Sequence, residues 1–219
     1  MDAFLAFADA RRRALCEQAG QVLGLDAASI EKDFWVCWTL RELFALPEIG
    51  PHLTFKGGTS LSKGWRLIER FSEDIDVVID RALLGFGGNL SPESAPSNKQ
   101  RDQRLEDLKA ACQRMIQHAL APALERRIGE RVAAAAWRLE NDLDDPDRQT
   151  LLFSYPGALA TSGYIRPVVK IELGARSDTD PSVVPTIQPY IAEALPGVIE
   201  EPAFQVRTVA PERTFWEKA

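Results

Sequence analysis

A diglycine turn sits between two β-prone runs, the second carrying two aspartates one residue apart: residues 55 to 79 read FKGGTSLSKGWRLIERFSEDIDVVI. HLTF at 52 to 55 stops abruptly at Lys56-Gly57-Gly58, as a strand does on entering a tight turn. Paired glycines permit positive φ and let the backbone approach a ligand, and Thr59 or Ser60 is placed to cap a following helix. Leu61, Trp65 and Ile68 recur at i, i+4 and i+7, which predicts a helix that buries one stripe. Its N-terminus and Lys63 then offer positive potential to an anion. SEDIDVVID alternates as a strand does, with Ile75, Val77 and Ile79 on one face and Asp74 and Asp76 on the other.

Two carboxylates projecting side by side repel each other unless a cation or a proton lies between them. Mg²⁺ suits such a pair, with Mn²⁺ as the alternative, because a hard ion takes a few carboxylates and completes its shell with water and phosphate oxygens. Glycine amides for phosphate, followed by paired aspartates for a metal, is the order expected of a site for a metal-bound nucleotide. Neither half is specific alone. A Gly-Gly turn is usually only a turn, and a D-x-D pair is usually a solvated edge, so their succession carries the inference.

KGGTSLSK followed by RFSEDID resembles the nucleotidyltransferase domain of the AbiEii/AbiGii toxin family, one of the DNA-polymerase-beta-like nucleotidyltransferases. The similarity extends upstream to IEKDFWV at 30 to 36 and downstream to VKIEL and RTFWEKA, while residues 85 to 165 match little. The resemblance implies an α+β nucleotidyltransferase fold with a mixed or antiparallel sheet flanked by helices. It divides the chain into an N-terminal helical segment, 1–50, packed on a core over 51–219 that is truncated at its C-terminal helical part. The family usually continues into helices bearing an R-x-x-R-D-like segment, which the 219 residues do not contain.

The implied activity is Mg-dependent transfer of a nucleotide from an NTP to a hydroxyl acceptor, an RNA or tRNA end, by a toxin opposed by a cognate antitoxin. Lys56, Gly57, Gly58, Thr59, Ser60 and Lys63 then bind the nucleotide, and Asp74 and Asp76 serve as catalytic metal ligands. In YIRPVVKIEL, Val168, Lys170 and Glu172 share one strand face, offering a buried acid. By resemblance Glu172 is the third carboxylate, either a metal ligand or the base for the attacking hydroxyl. A salt bridge from Glu172 to Lys170 or Arg176 is the structural alternative. Lys218, in the final helix, stands where the family places a lysine that neutralises the triphosphate. Two rival functions use the same residues: a nucleotide-sensing or partner-binding module without turnover, and a phosphotransferase attacking the γ-phosphate.

Composition limits the partners. With 219 residues, 45% hydrophobic and 26% charged, the chain is long enough for one sizeable core or two small ones. A net charge of −6 argues against a whole-surface nucleic-acid footprint, although Arg11 to Arg13 and Arg126, Arg127 and Arg131 are local basic candidates. No apolar run approaches membrane-spanning length, and in MDAFLAFADARRR the basic residues follow the apolar ones, the reverse of a secretory signal. A cytoplasmic protein without membrane contact is expected. Cys16, Cys37 and Cys112 form neither a disulfide framework nor a zinc motif and read as buried free thiols; His52 and His118 have no companions at metal or triad spacing.

Along the chain, the first fifty residues predict two or three helices, one running to Gly20 and one from Ser29 that ends at Leu46-Pro47. LLGFGGNLSPESAPSNK, 83 to 99, has the composition of a mobile surface loop. Leu105, Leu108, Cys112, Ile116 and Leu120 mark an amphipathic helix that stops near Pro122 or continues as a second helix to Gly129. RVAAAAWRLE is ambiguous between helix, which its alanines favour, and strand, and is read as a strand; TLLFSYP and YIRPVVKIEL are read as an antiparallel hairpin across GALATSG, and the C-terminus as a strand to Val209 followed by a helix with Pro211 in its first turn.

Overall fold

The computed structural model describes residues 1–68, 72–133, 136–159 and 166–216, with side chains to 213. Helices α1 (Asp2–Leu5), α2 (Asp9–Leu23) and α3 (Ala27–Phe44) come first. Strand β1 (Leu53–Lys56) runs into a one-turn helix α4 (Gly57–Thr59), and β2 (Asp74–Ile79) follows. Helices α5 (Asn98–Met115) and α6 (Ala121–Gly129) lead to β3 (Arg138–Asn141), β4 (Thr150–Ser154) and β5 (Val168–Gly174). Short elements close the chain: β6 (Ser182–Val183), β7 (Thr186–Ile187), α7 (Tyr190–Ala194), β8 (Phe204–Gln205), β9 (Thr208–Val209) and α8 (Pro211–Trp216).

Among the described residues the strands form a seven-stranded mixed sheet in the order β3-β4-β5-β2-β1-β9-β6, with β7 and β8 as a separate pair. The β2–β5 and β1–β9 pairings are parallel and the others antiparallel. This is an α+β architecture, as expected. The register sets Ile75 beside Ile171 and Val77 beside Leu173 and Phe55, so alternate residues of the central strands supply one dry face. Helix α3 packs on that face and is buried almost all round, as a helix apolar on every side must be. Trp35 stacks on Tyr155 and Trp38 on Phe153, with ring centroids 5.2 and 6.0 Å apart. Residues of α1 to α3 and of the sheet belong to one hydrophobic cluster. Deleting a ring such as Phe153 from so dense a core costs about 3–5 kcal/mol.

Three charged neighbours on α3, Glu31, Lys32 and Asp33, are also buried, and each is satisfied by a different segment. Glu31 accepts from the amides of Ala158 and Leu159, Lys32 pairs with Glu73, and Asp33 accepts from the amide of Tyr190 and pairs with Lys63. IEKDFWV is therefore the hub that fixes the segments around the sheet.

Several expectations are corrected. No long helix follows the diglycine: α4 passes into a π-turn, Ser60–Gly64, and the chain then turns through Arg66 at positive φ. Leu61 and Trp65 are only half-buried, whereas Ser62 and Lys63 are buried, because the π-turn rotates the i, i+4 stripe away from the core. The predicted helical stripe does not exist. Segment 83–99 lies largely at the surface, as expected, and contains two 3₁₀ turns, Gly88–Leu90 and Pro92–Ser94, with Arg104 donating to the carbonyls of Asn89 and Ser91. Within RVAAAAWRLE the strand begins at Arg138 and runs to Asn141, while residues 134 and 135 lie outside the described residues.

Other elements agree with the sequence. The amphipathic helix continues past Pro122: a π-turn, Ile116–Leu120, precedes the proline, and Leu108, Cys112, Ile116, Leu120, Leu124 and Ile128 are all buried. The β4–β5 hairpin forms, although residues 160–165 of its connection lie outside the described residues. All three cysteines are buried and free, and burial pushes Cys16 and Cys112 up to about 12.

Candidate active site

The solvent-facing side of the central strands is polar for the same reason that the other side is apolar. On β2, Asp74 and Asp76 alternate with the buried Ile75 and Val77, so both carboxylates stand on one face. Parallel pairing sets Asp74 beside Lys170 and Asp76 beside Glu172, and antiparallel pairing sets Lys56 across from Asp76. Side chains two residues apart on neighbouring strands thus form a compact block of charge without any loop to place them.

Gly57 explains why the diglycine belongs to this block. It has a φ of +80°, and a Cβ there would lie 1.8 Å from Oδ2 of Asp76. Glycine is required twice, by the backbone conformation and by the carboxylate pressed against it. The turn is tied to β2 further along, where the Thr59 hydroxyl donates to the Asp74 carbonyl and lies 2.8 Å from that of Ser72. The Ser60 hydroxyl donates to the Gly57 carbonyl at 2.8 Å. Both hydroxyls are buried and engaged internally, and the Ser60 amide also donates to the Gly57 carbonyl.

The electrostatics show crowding. Burial, then a hydrogen bond with Glu172 and its negative charge, pushes Asp76 up to about 7. Burial and the charges of Glu172 and Glu73 raise Asp74 as well. Glu172 goes the other way, because Lys170 donates to it at 2.6 Å and holds it below the usual carboxylate range. Of the two, Asp76 takes up a proton the more readily and Glu172 the less. Glu172 is not the buried acid expected: its side chain is 42% exposed, since β5 turns this face to a cleft. The salt bridge to Lys170 is present alongside the contact with Asp76, so the two readings of Glu172 are compatible.

Asp76 and Glu172 border a cleft of about 200 Å³ together with Lys56, Gln149, Arg176 and Ser177. Lys56 donates to the Ser177 hydroxyl at 2.7 Å and its charge partly offsets the crowding at Asp76. A second hollow of about 470 Å³ shares Glu172 and Gln149 and is walled by the acidic turn Asp142–Asp147.

Of the residues expected to bind nucleotide or metal, Lys56, Gly57, Gly58, Thr59, Ser60, Asp74, Asp76 and Glu172 come together on this face. Lys63 does not join them. Its ammonium lies 2.9 Å from Asp33 and 3.5 Å from the centre of the Tyr190 ring, and although burial opposes its charge, Asp33 keeps it protonated. The π-turn is what points it inward. Lys218 lies outside the described residues. Sequence reasoning named Lys170 and Arg176 only as salt-bridge partners for Glu172, of which Lys170 is the one that pairs, and it overlooked Ser177, whose place depends on the fold of the loop after β5.

Among the described residues no three of His, Cys, Asp and Glu converge as a metal cluster. The donors that fit a hard cation are Asp74 and Asp76, two carboxylates raised in pKa on one open face, which leaves room for water and substrate oxygens in the remaining positions.

Paired aspartates on a sheet, set against a glycine turn, are the features on which the resemblance to nucleotidyltransferases rests. Residues 38–219 match the profile of "Nucleotidyl transferase AbiEii toxin, Type IV TA system", so the chain belongs to the AbiEii family. No curated protein matches the sequence. Among solved structures it is similar to MenT4, a nucleotidyltransferase toxin from Mycobacterium tuberculosis H37Rv, with 19% identity and a TM-score of 0.49 over 94% of this chain and 57% of that one. The chain thus spans little more than half the length of that protein. Among the described residues no helix is long and apolar enough to cross a membrane.

Proposed function

We propose that this chain transfers a nucleotide from an NTP to a hydroxyl acceptor, with attack at the α-phosphate and loss of pyrophosphate, as a toxin whose action a cognate antitoxin opposes. The observation that carries the reading is Gly57 packed against Asp76, which joins the phosphate-binding turn to the acidic strand. In-line displacement needs positioning and charge stabilisation rather than covalent help from the protein. The amides of Gly57, Gly58 and Thr59 are assigned to phosphate oxygens at the turn, and Lys56, which borders the cleft beside Asp76, adds positive charge to the site. Asp74 and Asp76 are the residues that would hold Mg²⁺ or Mn²⁺, which when bound neutralises phosphate charge and polarises the reacting phosphorus. Glu172, kept ionised by Lys170, orients the attacking hydroxyl more readily than it removes its proton, since a depressed pKa makes a weak base. Lys218 is assigned to the leaving pyrophosphate on family resemblance. Lys63 is assigned to holding the turn from behind, through Asp33.

The acceptor is taken to be an RNA end, tRNA included. Incubation with α-labelled NTPs, Mg²⁺, total RNA and total protein tests the whole reading. Label is expected in RNA, with release of pyrophosphate, and Asp74→Ala is expected to lower the rate on the order of a thousandfold, as loss of a main charge-stabilising group does. Transfer of γ-label would instead assign a phosphotransferase. NTP binding without any product would assign a sensing module.

A further inference from the structure

The face that carries the site has two ends, and they are unlike. Register places the diglycine turn at the Asp74 end of β2, since Lys56 pairs with Asp76 and the chain then runs towards Asp74. The cleft of about 200 Å³ lies at the other end, beyond Asp76 and Glu172, where Val78 and Gly174 line it. A Cβ on Gly174 would meet nothing within 4 Å, so this end is open. The exposed Arg176 stands on its wall.

The main chain of Arg176 is held firmly while its head group is not. Arg81, just past β2, donates to the carbonyl of Ala175 at 2.9 Å and to that of Arg176, and it is itself paired with Glu93 at 2.6 Å and Asp178 at 3.4 Å. The Arg176 guanidinium has no ion pair or hydrogen bond among the described residues, although Asp76 and Glu172 border the same cleft. The other cation there, Lys56, is engaged by Ser177. A pinned backbone presenting an uncommitted planar fork of donors is a pre-organised anion grip, and guanidinium matches phosphate bidentately.

In-line transfer requires the attacking and leaving oxygens to lie on opposite sides of the reacting phosphorus. Resting on the nucleotidyl-transfer reading above, in which pyrophosphate leaves on the glycine turn, the attacking hydroxyl must come from the side of this cleft. We infer that the cleft beyond Glu172 is the acceptor subsite and that Arg176 is its anchor, taking the phosphodiester next to the attacking hydroxyl of a polynucleotide. A protein hydroxyl carries no such neighbouring anion and gives Arg176 nothing to bind.

Steady-state transfer of α-labelled NTP to total RNA by the full chain tests this, with KM measured separately for RNA ends and for NTP. Arg176→Ala should raise the KM for RNA roughly tenfold to a hundredfold, the range for a lost hydrogen bond to a charged group, and leave the KM for NTP within about twofold. Arg176→Lys should recover part of the loss. The salt dependence of the RNA KM should be shallower in the alanine variant by about one phosphate contact. A raised KM for NTP with that for RNA unchanged would put Arg176 on the triphosphate and overturn the assignment, as would no change in either, or label in protein alone. Undiminished transfer by Asp76→Ala is a separate outcome, and it would sink the nucleotidyl-transfer reading itself.

Discussion

Two charged groups in this protein, each with a member in the segment 55 to 79, have opposite fates. Lys63 and Asp33 are both almost wholly buried, 2.9 Å apart, with the Tyr190 ring and amide completing their surroundings. Asp74, Asp76 and Glu172 are half-buried like charges on one face, the last two bordering a cleft. The first group is electrostatically complete and closed. The second has Lys170 against Glu172 and Lys56 near Asp76, yet burial and like charge still raise both aspartates, so further positive charge is favourable there. Charge used for structure carries its counter-charge within the fold, whereas charge used for binding is left for the ligand to complete.

The comparison can be broken most forcefully at the closed pair. Lys63→Met should destabilise the protein by about 3–5 kcal/mol, because Asp33 would remain buried without its partner. Chemical denaturation measures this, and restoration by the double variant Lys63→Met/Asp33→Leu would show that the pair acts as a unit. A variant of normal stability that binds NTP poorly would instead return Lys63 to the open site.

Gly57→Ala is expected to cost about 2–4 kcal/mol, from a positive-φ residue that gains a Cβ and from the clash with Asp76. Unlike Lys63→Met, it should also lower transfer activity at saturating NTP, since the displaced atoms are those of the Asp76 carboxylate.

The smallest effect is a change of stability with pH. Asp76 is raised from 3.8 to about 7, so the folded protein binds a proton more tightly than the unfolded chain does, and stability falls as pH rises from about 4 through 7. Asp76→Asn, which cannot ionise, should lose this dependence. Measured without divalent ions, it should be more stable than the parent at pH 8 by about 2 kcal/mol or less, with the gap narrowing as pH falls and closing near about pH 4. A constant gap across that range would mean that the carboxylates are not crowded.

Much of this organisation is legible from residue patterns. The period-two alternation of DIDVVI and VVKIELG separates a dry face from a charged one without reference to any other part of the chain, and it places Asp74, Asp76 and Glu172 correctly. KGG announces a turn that only glycine can make. The helix after that turn was not legible, because Leu61, Trp65 and Ile68 fit a helical period that a π-turn interrupts after a few residues. Nor was the fate of Lys63, since the same lysine serves a phosphate or a buried aspartate according to which way one turn points it.

By itself, then, the sequence determined the strands, their two faces and the glycine bend, because these follow from local periodicity and backbone sterics. Only the tertiary structure decided which charges meet. The parallel pairing of β2 with β5 joins residues about a hundred positions apart, setting Glu172 beside Asp76, and the packing of α3 withdraws Lys63 from solvent. Electrostatic interaction depends on distance in space and on exposure to water, and local pattern specifies neither.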